Sequence, residues 1–538
     1  MKIKRKFIYL AILVAVLLYA NCFTTSFKFS LIYSPYNDAG ELYSVQSIFD
    51  GSLFKNDPML AVIKGHMNTL SKIRELAHNA LYYFLMHFFS FPLAIKIVSL
   101  IFSILTTLLI YRIGVCLKSK DYAYLLSGLF IFYFLSMDTF YSGQDRCFGI
   151  FIFCAFLLLL VKEKFEILPF FIPLSIFIYH PLLYVFTTIC FLIPFLYSKK
   201  IRLKRYVLFL GASILISLIF ILNDKLLNMI VVNVSLLRSY KYYYNSNIVD
   251  PANPLHILLY FILNLNEHSR LYVYFTYFFI AVSLAIVILK RKKALELPRA
   301  LWLMLLGSFV SFLIIYPVNP IVASRQLVFS LPLFLVFFVS TNISGIILSS
   351  RIKSASLLLF LVSAFVLLHP IFGEVHNYRE YKPVYDYMEG LPKDVFIAGY
   401  PGSRVVDKIP FFSKRTIFFS DYLDDFLYIT YGAEGFWKMR QNLISALYSD
   451  SLEEVRFFIA EYKIGYLVIE SAYYNNTFFD HLKHSVEPYD RQTRSIIKAK
   501  IKAKNFILLD FVSKFCDFKL KSSGGDIFII SSKKILPE

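Results

Sequence analysis

Acidic residues are scarce in this sequence. Only 36 Asp and Glu stand against 56 Lys and Arg over 538 residues, a formal charge of +20. Such an imbalance raises the question of a nucleic-acid partner, but the bases sit in short clusters between apolar runs, which excludes one. Cysteine is thin too: six residues, at 22, 116, 147, 154, 190 and 516, show neither metal-ligand spacing nor a disulfide framework. Internal repeats and low-complexity tracts are missing. The last 160 or so residues carry no Gly-rich phosphate loop, Ser nucleophile elbow or HExxH, which excludes the chemistries those motifs serve. Finally, "YANCFTTSF" offers no small-x-small cleavage site after the first apolar run, so that run is read as a span rather than a removed signal.

Apolar residues fill the space that these absences leave. The chain is 58% hydrophobic and 18% aromatic, with apolar runs recurring from residue 7 to residue 372. A helix needs about 20 apolar residues to cross a bilayer, and the runs are continuous rather than alternating, so they predict helices instead of a barrel. Eleven spans are expected, near 7–27, 93–112, 122–141, 147–161, 167–180, 182–197, 206–222, 270–289, 300–316, 326–348 and 354–372. With the N-terminus in the cytoplasm, the clusters "MKIKRK", "KSK", "KEK", "KKIRLKR", "KRKK" and "RIK" all fall inside, as positive loops should. Residues 77–92, "AHNALYYFLMHFFSFP", are apolar but short, and are read as an interfacial helix.

After about residue 376 the composition changes. Strand-like runs at 393–401, 415–420, 464–471 and 525–532 surround an amphipathic helix, "DSLEEVRFFIAEY" at 450–462. The expected organisation is therefore a polytopic α-helical membrane module over 1–375, whose first outer loop (28–92) carries interfacial helices. An extracytoplasmic α/β domain follows over 376–538.

Polar residues beside the bilayer need a reason. Asp38, Glu41 and Asp57 follow the first span, in "YNDAGELYSVQSIFDGSLFKNDPML". Asp145 and Arg146 lie in "YSGQDRCFG", His180 in "FIYHPLLY" and Arg325 in "NPIVASRQLVF". All fall on the expected outer side, which points to chemistry at one membrane surface. Each also has a plainer reading. Asp38 and Glu41 have capping-box spacing ahead of an apolar helix that ends at Gly51. Asp57 precedes Pro58 as a turn residue does. Asp145 and Arg146 fit a local ion pair or a snorkelling anchor, and His180 a helix end before Pro181. Arg325 sits where the positive-inside rule disfavours arginine.

Through these residues the sequence resembles the GT-C superfamily of multi-pass glycosyltransferases, in particular its bacterial members of uncharacterised type. "NDAGELYSVQSIFDGSLFKNDP" is similar to their acidic motif after span 1, and "GQDRCFG", "YHP" and "SRQLVFSLPL" are similar to their later outer segments. The resemblance implies inverting transfer of a sugar from a polyprenyl-phosphate-linked donor to a glycan, lipid or protein acceptor at the outer face of the plasma (inner) membrane, in the cell envelope. It implies Asp38 and Glu41 as catalytic acids, without choosing between them, because the family's tighter acidic dyad is spread here as Asp-x-x-Glu. Arg146, Arg325 and His180 become donor-phosphate ligands, with Asp57 and Asp145 secondary. A divalent metal, Mg or Mn, held by Asp38 and Glu41 is compatible with the resemblance. The competing readings are an O-antigen-type polymerase or ligase, a transporter, and a non-catalytic membrane scaffold. Long loops placed early and at the tail, and spans nearly free of mid-depth charge, favour the glycosyltransferase.

Overall fold

The computed structural model describes residues 33–34, 50–55, 80–82, 84–89, 91–134, 145–179, 181–223, 270–290, 297–317, 323, 325–347, 376–401, 403, 405–419, 434–474, 497, 499 and 506–536. The chain divides into two compact units. One comprises Met1–Ser30, Asn68–Val231 and Pro251–His376; the other comprises Leu31–Met67, Val232–Asp250 and Asn377–Glu538.

The first unit is helical. Its helices are α1 (Phe91–Leu117), α2 (Lys120–Phe134), α3 (Asp145–Val161), α4 (Phe171–Ile178, entered through a 3-10 turn at Phe165–Phe170), α5 (Pro181–Leu196), α6 (Leu203–Asn223), α7 (Arg270–Lys290), α8 (Arg299–Ile315) and α9 (Ser330–Ile347). These coincide with nine of the expected spans; the runs at 7–27 and 354–372 lie outside the described residues. Among the described residues two helical stretches, Leu93–Leu117 and Leu203–Leu222, are long and apolar enough to cross a membrane, and the remaining apolar stretches, such as Thr276–Leu289, are shorter. The structure therefore establishes a helical bundle and leaves the figure of eleven spans as an expectation.

Apolar side chains face outward on most of these helices, with Phe195 and Leu289 each 82% exposed. Water does not tolerate so continuous an apolar surface, whereas lipid does. The unit is a membrane bundle. Lipid supplies no hydrophobic drive between helices, so close packing of small residues and internal hydrogen bonds must hold them. Gly307 on α8 presses against Ile189 of α5, and a Cβ added to Gly114 on α1 would meet the Ala123 backbone of α2 at 2.6 Å. Across helices, Tyr133 on α2 and Thr276 on α7 share a hydrogen bond of 2.8 Å, and the Tyr206 hydroxyl donates to the Cys190 carbonyl at 2.7 Å. Ring stacks such as Phe156 on Phe186, 4.4 Å apart, fill the centre.

One end of the bundle gathers the basic loops. Lys118, just after α1, donates to Ser344 Oγ on α9 at 2.7 Å, and Tyr122 on α2 bonds Thr341 on α9 at 2.9 Å. Glu163, after α3, pairs with Lys200, after α5, at 2.5 Å.

The second unit is a three-layer α/β fold. Its elements are α10 (Lys382–Glu389), β1 (Phe396–Gly399), α11 (Ile409–Ser413), β2 (Thr416–Ile417), α12 (Glu434–Leu447), α13 (Leu452–Tyr462), β3 (Tyr466–Glu470), α14 (Ile507–Phe515), β4 (Phe518–Ser522) and β5 (Gly525–Ser531). The sheet order is β2-β1-β3-β5-β4, with β1 parallel to β2 and β3, and β5 antiparallel to β3 and β4. Successive residues of a strand point to opposite faces. Ala398, Leu467, Ile469, Phe528 and Ile530 thus enter one core with α12, α13 and α14. Ile397, Val468, Ile527 and Ile529 enter the other with α10 and Ile409 of α11. Burial on both faces explains why "YLVIE" and "IFII" read as unbroken apolar runs.

Helix α13 starts where its acidic first turn predicts. The Ser451 side chain accepts from the Glu453 amide at 3.2 Å, and Ser449 donates to Glu454 at 2.5 Å. The buried Arg415 closes the other end of α10, donating to the carbonyls of Leu391, Glu389 and Ser413.

Part of the opening loop belongs to this unit. Leu53 and Phe54 are buried in the core beside Ala398 and Phe418. Asp50 receives the Ser52 amide at 2.9 Å and pairs with Lys393 at 2.7 Å. The Lys393 ammonium and Ser52 hold its carboxyl well below the usual range. Tyr33–Ser34 forms a short strand paired with His376–Asn377.

Candidate functional site

Three of the segments singled out in the sequence meet in the bundle. Helix α3 opens at Asp145, an acid at the end that favours negative charge, and Arg146 occupies its next position. One turn on, at Gly149, the missing side chain makes room. A Cβ there would stand 3.0 Å from Cγ and Cδ1 of Tyr179 and 3.1 Å from Cε2 of Phe329.

Tyr179 is the residue before His180. It closes α4, its amide bonding the Ser175 carbonyl at 2.9 Å, and its own carbonyl accepts the Leu182 amide at 3.0 Å as α5 begins. Its extended backbone (φ −154°, ψ 93°) turns the chain between the two helices, and Pro181 starts α5 at the position proline favours. Phe329 lies four residues after Arg325, in the turn that leads into α9. That turn is pinned by Gln326, whose amide bonds the Ala323 carbonyl at 3.0 Å and whose buried side chain accepts from Ser311 of α8 at 3.3 Å. Arg325 is partly buried.

Aromatic packing extends the junction. The Tyr179 and Phe329 rings lie 5.5 Å apart, and Phe153, a turn further along α3, lies 6.2 Å from Phe329 and 6.1 Å from Phe186 of α5. Tyr82 rests edge-on against Phe148 of α3 at 6.2 Å. Phe84 and Phe88 nearby are exposed.

The structure thus brings together Gly149, Tyr179 and Phe329, neighbours in sequence of Arg146, His180 and Arg325, at the end of α9 remote from Lys118. His180 itself, like Asp38, Glu41 and Asp57, lies outside the described residues. Asp145 and Arg146 are placed by their helix. Among the described residues no three His, Cys, Asp or Glu side chains gather to hold a metal ion. Sequence reasoning missed Gly149, Tyr179 and Phe329; the available signal was a glycine one turn after Arg146 and an aromatic residue before the His-Pro pair.

The second unit holds a polar group that sequence reasoning also missed. At the carboxyl end of β3, Glu470 accepts the Ser403 hydroxyl hydrogen, while Ser403 Oγ accepts the amides of Val405 and Val406 at 3.0 Å each. Burial pushes the Glu470 carboxyl up to about 7, against the lowering effect of the Ser403 bond. Tyr400 stacks on Tyr473 beside it, 4.1 Å apart.

No family model and no curated protein matches the sequence. Among solved structures, the chain is similar to the archaeal oligosaccharyltransferase AglB from Archaeoglobus fulgidus in complex with an inhibitory peptide and a dolichol-phosphate. The TM-score is 0.50 at 10% identity, covering 99% of this chain and 75% of that one. The apo form of the Archaeoglobus fulgidus oligosaccharyltransferase gives a TM-score of 0.49 at 10% identity, over 88% and 70% of the two chains. This chain shares the fold of that AglB structure. At such identity the likeness is one of fold, and the chemistry must come from the residues themselves.

Proposed function

We propose that this chain is a membrane glycosyltransferase that moves a sugar from a polyprenyl-phosphate-linked donor to an acceptor hydroxyl at the outer face of the membrane. The observation that carries the reading is the junction at Gly149, which joins the three segments bearing Arg146, His180 and Arg325. Two guanidiniums and an imidazole close in sequence to the residues that meet there suit a phosphate, because guanidinium clamps anionic oxygens bidentately. The shared fold supports the same reading, and the similar AglB structure holds a dolichol-phosphate.

The reaction is a single displacement with inversion. The acceptor oxygen bonds to the anomeric carbon as its proton passes to the Asp38 carboxylate, and the bond from that carbon to the phosphate oxygen breaks. Arg146 and Arg325 stabilise the charge that collects on the leaving phosphate. Glu41, one helical turn from Asp38 by its spacing, steadies it or takes its place as base. Carboxylate oxygens of this kind suit Mg or Mn, and a divalent ion held by Asp38 and Glu41 would supply further charge neutralisation. Asp57 and Asp145 are secondary members of the site. The basic loops at the far end of the bundle would face the cytoplasm, and the α/β unit would face outward with the acceptor, whether glycan, lipid or protein.

The test is transfer of labelled sugar from a polyprenyl-phosphate donor by the full chain in lipid nanodiscs. Asp38→Asn should lower the rate by about 10² to 10⁴, the range of general-base catalysis, with the fold intact. Undiminished transfer by that variant removes Asp38 from the mechanism.

A further inference from the structure

The three donor-phosphate segments come from distant parts of the chain, so something must set their spacing. Their contact is narrow. Gly149 lies one turn from Arg146 on the same face of α3, Tyr179 adjoins His180, and Phe329 follows Arg325 by four residues. Both rings are buried, and both reach Gly149 at distances that a methyl group would make tight: 3.0 Å to Tyr179 and 3.1 Å to Phe329. Phe153 of α3 lies beside both Phe329, at 6.2 Å, and Phe186, at 6.1 Å, so the Phe329 ring is packed against α3 on a further turn.

We infer that Gly149, Tyr179 and Phe329 form a positioning joint that sets the spacing of the segments carrying Arg146 and Arg325, and thereby the site's grip on a lipid-linked phosphate. The inference rests on the reading that those residues hold the donor. None of the joint residues touches the donor in this account; they act through the residues beside them. Interior side chains pack at crystal-like density, so an added methyl is absorbed by shifting neighbours, not by empty space. Bidentate contacts to phosphate are sensitive to such shifts, because their geometry is fixed by the planar guanidinium.

The experiment uses the full chain in nanodiscs and undecaprenyl phosphate as the probe, with its Kd and the melting temperature both measured. Gly149→Ala should weaken binding about tenfold, an effect in keeping with small misplacements of binding groups, and raise the donor KM while kcat at saturating donor stays within about threefold. Adding Phe329→Leu, which relieves one of the two close contacts while Tyr179 stays in place, should recover part of the affinity. Where Gly149→Ala does not accumulate, Phe329→Leu alone is read, and loosening the joint should weaken binding in its turn. Arg146→Ala with Arg325→Ala separates the two claims: if that pair leaves the Kd unchanged, the phosphate reading fails. If the pair abolishes binding but Gly149→Ala binds as the parent does, or Phe329→Leu fails to rescue it, the joint is overturned.

Discussion

Glu470 shows how a single residue carries a measurable consequence. Its carboxyl is raised from the ordinary 4.5 to about 7 by burial, so between those values the folded chain holds a proton that the unfolded chain releases. Stability conferred by the neutral form is full below about pH 4.5 and is lost as pH rises through about 7. On the order of 3–4 kcal/mol is involved, at about 1.4 kcal/mol per unit. The sequence has two tryptophans, Trp302 and Trp437, and the second lies on α12 in the α/β unit. In a Trp302→Phe background, denaturation followed by Trp437 should therefore show a midpoint that falls between pH 5 and pH 8. Glu470→Gln should flatten that slope. A slope that persists in the glutamine variant assigns it to another group.

At the scale of elements, the same substitution has opposite signs at two glycines. Gly307 on α8 lies against Ile189, whereas Gly211 on α6 has nothing within 4 Å of where its Cβ would stand. Gly307→Ala should destabilise the bundle by about 1–3 kcal/mol through overpacking, and Gly211→Ala should stabilise it by up to about 1 kcal/mol through helix propensity. Thermal melts of the two variants in the same detergent check both. The helices were legible in the sequence because a lipid-facing helix must be apolar all round and of a set length. The strands β1, β2, β3 and β5 were legible because a sheet covered on both faces needs apolar runs. Strand β4 was not, since "FKLKS" alternates with exposed lysines at the sheet edge and imitates a loop. Nor was the burial of Leu53 and Phe54, because "DGSLFKND" reads as a turn and only the tertiary core supplies its partners. The junction at Gly149 was half legible. The charged residues that flag each segment stand out, but contacts between residues 30 and 150 positions apart leave no local trace.

For the whole molecule, the arrangement of chain between units matters most. Leu31–Met67 and Val232–Asp250 group with Asn377–Glu538 in one unit, and the described stretch around Leu53 and Phe54 contributes to the core of the α/β unit. The most direct measurement is undecaprenyl-phosphate binding by the full chain in nanodiscs, parent against Arg146→Ala with Arg325→Ala. Loss of two charge-assisted contacts, at about 1.5–3 kcal/mol each, should weaken binding by about 10² or more while the melting temperature holds. Equal affinity in parent and variant would contradict the account.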